Sequence, residues 1–67
     1  MIDVFTEDEV RRAKDVLKTS MDSVQVHRRV YEAIVTDEVI ERIDTHTGQA
    51  NDRHYMAYRL EYLAQQT

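Results

Sequence analysis

The chain has 67 residues, 13 acidic and nine basic for a formal net charge of −4, with 42% hydrophobic and 33% charged residues. That length suits one domain that buries only ~60% of the surface its unfolded form exposes, so stability is thin and self-association or a protein partner is the expected supplement. Zero cysteines exclude disulfides and thiolate zinc sites, the acidic balance argues against broad binding to nucleic acid or anionic membranes, and no run approaches the ~18 apolar residues of a membrane span.

With no proline and Gly48 as the one glycine, turn chemistry is nearly missing and helix-compatible residues fill the chain. This predicts an all-α fold, a compact bundle of three or four short helices in a single domain over residues 1–67. The N-terminal stretch through Phe5 and Glu9 lacks the basic start and long apolar run of a secretory signal, so a cytoplasmic location is expected.

The first helix is announced by Phe5-Thr6-Glu7-Asp8-Glu9-Val10. Thr6 is placed to cap the N–H of Glu9 while the Glu9 carboxylate reaches back to Thr6, and Phe5 and Val10 occupy the two positions of a hydrophobic staple. The acidic triplet complements the positive end of the helix dipole. Val10, Ala13, Val16 and Leu17 follow helical spacing, predicting a helix over about 7–19.

A second box, Asp22 with Gln25 and with Met21 and Val26 as its staple, opens a helix near 23–35 whose inner face carries Val26, Val30, Ala33 and Ile34. The many β-branched residues would also suit a strand, but alternation breaks at Arg28-Arg29 and no hairpin turn follows. Thr36 either caps a further helix with Val39, Ile40 and Ile43 or lies inside one long helix reaching His46, and the sequence is compatible with both. Gly48 suits the left-handed end of that helix, and Asn51 or Asp52 suits the cap of the last one, over about 52–65.

The last helix carries two stripes. Met56, Leu60 and Leu63 form one, suited to a core; Tyr55, Tyr58 and Tyr62 form the other, which is read as the partner-binding surface because tyrosine joins large apolar area to a polar tip. The competing reading makes these rings the edge of an ordinary core. Arg11, Lys14 and Lys18 form a basic stripe on the first helix, and Arg28 and Arg29 would add phosphate contacts in a helix-turn-helix arrangement. Against it, the would-be recognition helix begins Thr36-Asp37-Glu38 and would bring carboxylates to phosphates.

His27, His46 and His54 lack metal-ligand spacing, so solvent-facing or helix-capping roles are expected, with no metal and no cofactor. There is no cysteine nucleophile, no glycine-rich phosphate loop and no serine beside a suitable histidine and acid, which predicts a non-enzymatic protein without a small-molecule substrate. In general character, though not through any family motif, the chain resembles small bacterial or bacteriophage accessory proteins. That resemblance implies either a protein-binding inhibitor or modulator of a larger complex or a virion component held by neighbouring subunits.

Overall fold

The computed structural model describes residues 5–20, 22–48 and 52–66. Among them the chain forms four helices and no strand: α1 Glu7–Thr19, α2 Ser23–Ala33, α3 Asp37–Thr47 and α4 Arg53–Gln66. The β-branched content of α2 did not make a strand, since Val26 and Val30 recur at helical spacing and are buried on one side.

Each helix starts where its cap directs. Thr6 Oγ1 accepts from the Glu9 N–H at 3.1 Å while Glu9 Oε1 accepts from the Thr6 N–H at 2.9 Å, a complete capping box. Phe5 is buried and Val10 packs on the same core, as a staple requires. Asp22 accepts from the Gln25 N–H at 2.8 Å to open α2; its proposed staple partner Met21 lies outside the described residues. Thr36 accepts from the Val39 N–H, which resolves the choice over this segment in favour of two helices separated by residues 34–36. Gly48 closes α3 at φ 67° with its N–H on the Asp44 carbonyl at 2.8 Å, a left-handed conformation that side chains disfavour. Asp52 caps α4, its carboxylate accepting from the His54 N–H at 3.1 Å; Asn51 lies outside the described residues.

The core joins Phe5, Ala13, Val26, Val30, Ile34, Val35, Val39, Ile43, Met56, Ala57, Leu60 and Ala64. α4 packs against both α1 and α2, and α1 against α2. Ala33, expected on the inner face of α2, is exposed, and Val35 is buried instead because the helix ends at Ala33 and the turn plugs Ile34 and Val35 into the core.

Arginines hold the helix ends together. Arg12 donates to the Ala33 carbonyl at 3.1 Å, and Arg53 donates to the carbonyls of Val35 at 2.6 Å and Tyr31 at 2.9 Å, so two cations sit on the carbonyls that end α2. Arg42 of α3 grips Glu9 of α1 through two hydrogen bonds, at 2.7 and 2.8 Å. Burial alone would raise the Glu9 carboxyl, but the hydrogen bonds from Arg42 and Thr6 together with the Arg42 charge outweigh it and hold it below the usual carboxylate range. The same hydrogen bond and charge raise Arg42 against the opposing effect of its own burial.

Candidate functional site

Helical spacing puts His27 and Tyr31 one turn apart on α2, and His54 and Tyr58 one turn apart on α4. The helices run antiparallel, which brings the four rings together crosswise. Tyr58 stacks on His27 with centroids 4.0 Å apart and planes inclined by 19°, and Tyr31 stacks on His54 at 4.2 Å and 18°. The Arg53 guanidinium lies 4.2 Å from the Tyr31 ring centre, a cation–π contact, while its other edge is 3.6 Å from Asp37 of α3.

A hydrogen-bonded chain runs through this cluster. His27 Nδ1 is 2.9 Å from Oε2 of the buried Glu61, and His27 Nε2 is 2.9 Å from His54 Nδ1. The two imidazole centroids stand 5.2 Å apart with planes inclined by only 22°. A 2.9 Å nitrogen contact permits so wide a separation only when both nitrogens lie near the line joining the rings. The lone pair of one nitrogen therefore faces the other ring directly, an arrangement made for one shared proton. Metal ligands must instead converge on a common point. Among the described residues no group of three or more His, Cys, Asp or Glu is arranged to hold a metal ion.

This placement corrects the expectation that the histidines simply face solvent or cap helices. His46 is exposed in the last turn of α3 as expected. His27 is largely covered because Glu61 satisfies one ring nitrogen and Tyr58 covers one ring face; His54 stays exposed but is held by His27 and Tyr31.

On the outer side of α4, Tyr55, Tyr58 and Tyr62 are 50%, 58% and 61% exposed, while Met56 and Leu60 are buried and Leu63 is half-buried at the edge. Tyr55 and Tyr62 thus stand out from the core, while Tyr58 lies with one face on the His27 ring. Tyr58, Arg59, Tyr62 and Leu63 line a shallow groove, and among these described residues Arg59 carries the charge. Arg59 is exposed and has no hydrogen bond or ion pair among the described residues.

The basic candidates are dispersed in their roles. Arg29 donates to Thr19 Oγ1 at 3.1 Å and Ser20 Oγ at 3.0 Å, joining α2 to the end of α1. Arg11 pairs with Asp8 one turn away. Arg28 borders a shallow groove with Asp22, Val24 and Gln25, and Lys14 and Lys18 remain on α1. Sequence reasoning passed over Arg59 and Glu61, although Glu61 at seven residues from His54 and Arg59 between Tyr58 and Tyr62 were visible as helical neighbours. No family model, no curated protein and no solved structure matches the chain.

Proposed function

We propose that the chain is a non-enzymatic protein-interaction module that docks a larger partner on the outer face of α4, as an accessory protein modulating a complex does. Tyr55, Tyr58 and Tyr62 supply the anchors and Arg59 the charged contact. The observation that carries this reading is the half-exposed tyrosine stripe around Arg59, an arginine with no hydrogen bond or ion pair among the described residues, on a helix whose opposite side already fills the core. Tyrosine and arginine are the residue types in which binding energy concentrates, and a helix with bulky apolar rings on its outer side has surface left to bury.

The groove charge selects the occupant. A second copy laid on this face would bring Arg59 to a groove whose lining among the described residues, Tyr58, Arg59, Tyr62 and Leu63, offers no carboxylate to receive it. The fitting partner is a different protein that offers a carboxylate to Arg59 beside an apolar cleft for the rings. The test is affinity purification of the full chain, with mass spectrometry and nuclease treatment, beside sedimentation of the purified protein. The reading requires a captured protein that resists nuclease, is lost with Arg59→Glu and with Tyr62→Ala, and is kept with Arg28→Ala. Self-association through this face, or capture that depends on nucleic acid and on Lys14 or Arg28, would overturn it.

A further inference from the structure

α4 packs along both α1 and α2, and α1 along α2, but among the described residues the α3 backbone makes no comparable approach to any of them. α3 is held chiefly by side chains: Val39 and Ile43 are buried, Ile40 is half-buried, and Arg42 grips Glu9 of α1. The Arg53 contact with Asp37 restrains it little, because Asp37 is 97% exposed. Left to itself this segment is a poor helix. It has 11 residues, short of the about 12–15 at which an isolated helix becomes even marginal in water. Val39, Ile40, Ile43, Thr45 and Thr47 are β-branched, and Asp37, Glu38, Glu41 and Asp44 are exposed carboxylates. Glu41 lies three or four residues from each of the other three carboxylates, spacings at which like charges repel on a helix surface. Asp44 stands in the last turn, where the helix dipole disfavours an anion. At the near end the chain is fixed as far as Val35, which is buried and whose carbonyl accepts from Arg53 at 2.6 Å, while the next residue, Thr36, caps α3 through a bond of 3.4 Å. At the far end stands Gly48 in its left-handed conformation.

We infer that α3 is a hinged flap: it undocks and melts as a unit between Thr36 and Gly48 while α1, α2 and α4 stay folded, with the Arg42–Glu9 pair as its clasp. Once Val39 and Ile43 leave the core, the segment's own sequence does not hold the helix, so undocking and loss of the α3 hydrogen bonds are one event. Release of Arg42 does not undo α1, because Glu9 keeps its bond to the Thr6 N–H and its freed oxygen meets water. The three remaining helices keep Ala13, Val30, Met56, Ala57 and Leu60 among them. Opening brings Val39 and Ile43 into water and uncovers the part of the core they fill, an apolar surface that the closed chain does not present. The flap goes beyond the docking reading and stands without it, since Tyr55, Tyr58, Arg59 and Tyr62 belong to α4.

The test is amide hydrogen exchange of the full chain without any partner, followed by NMR at several low denaturant concentrations, where exchange reports the opening equilibrium. The expected result is that the Arg42, Ile43 and Asp44 amides exchange together, with weaker protection than the Leu60 amide. Their denaturant slope should also be shallower than that of Leu60, since opening a flap exposes less surface than global unfolding. Two variants separate the flap from the body. Arg28→Gly, an exposed change in the middle of α2, should quicken the Leu60 amide roughly fivefold and leave the Ile43 group unmoved, because the open state still contains α2. Arg42→Ala removes a tie lost in both openings and should quicken the two groups by a common factor, roughly 5–30-fold. Should either variant fail to fold, the wild-type slopes decide alone. An Ile43 group with the protection and slope of Leu60, or one that Arg28→Gly quickens as much as Leu60, would overturn the flap. Neither result touches docking, which is decided by partner binding to the tyrosine and Arg59 variants.

Discussion

Arg42 and Glu9 stand 33 residues apart in the chain and meet through two hydrogen bonds, of 2.7 and 2.8 Å, with Glu9 also closing the cap of its own helix. One carboxylate therefore fixes the start of α1 and ties α3 to it. Arg42→Ala would leave a largely buried carboxylate with half its partners. A loss of about 1–2 kcal/mol is expected, since Arg42 itself is partly solvated. Denaturant melts of Arg42→Ala, Glu9→Gln and the double variant would show coupling between the two sites; additive losses would mean that the pair contributes nothing of its own.

The same pair sets an acid limit. Because folding lowers the Glu9 carboxyl, its contribution is present above the ordinary glutamate range, about 4.3, and is lost as pH falls below it. Stability of the wild type should drop there more steeply than that of Glu9→Gln. Parallel acid limbs for the two chains would contradict the assignment.

Thr6→Ala is expected to cost about 0.5–2 kcal/mol through loss of the cap. Thr36→Ala should cost less, because its bond to the Val39 N–H is long, at 3.4 Å, against 3.1 Å for Thr6 on Glu9. Equal midpoints for Thr6→Ala and wild type would mean that this cap does not hold α1.

Inside α4, Leu60→Ala or Met56→Ala should cost about 2–5 kcal/mol, since both side chains are fully buried in a small core and their removal leaves a cavity. Tyr62→Ala, on the opposite side of the helix, should change the thermal midpoint little. A tyrosine variant as unstable as Leu60→Ala would place that ring in the core.

Chelation gives a separate check on the histidine chain. Because His27 Nε2 and His54 Nδ1 aim at each other instead of at a common point, neither EDTA nor added zinc should move the melting temperature. A rise of several degrees with zinc would show that the two rings turn to share a metal.

What could be read from the residues alone was local. Capping at Thr6, Asp22 and Thr36 involves partners three residues away, so spacing in the chain is spacing in space, and Gly48 marks a backbone conformation that other residues resist. The histidine chain was hidden because His27 meets Glu61 and His54 across 34 and 27 residues, and such meetings depend on how α2 and α4 are set against each other. The one available hint was the matching one-turn spacing of His27 with Tyr31 and of His54 with Tyr58, which only an antiparallel pair of helices brings into register. Arg12, Arg29 and Arg53 were hard to place for the same reason. A charged residue on a solvated face and one reaching to a neighbouring helix end look alike in a sequence, and the difference lies in where the other helix stops.

The central claim is that the outer face of α4 binds a protein. It is tested most directly by titration calorimetry of the purified partner against wild type, Tyr58→Ala, Tyr62→Ala and Arg59→Glu, with thermal melts of each variant alongside. Losses of about 1–4 kcal/mol in binding, with melting temperatures close to wild type, are the predicted result. Binding unchanged across all three substitutions, or lost only in variants that have also unfolded, would contradict it.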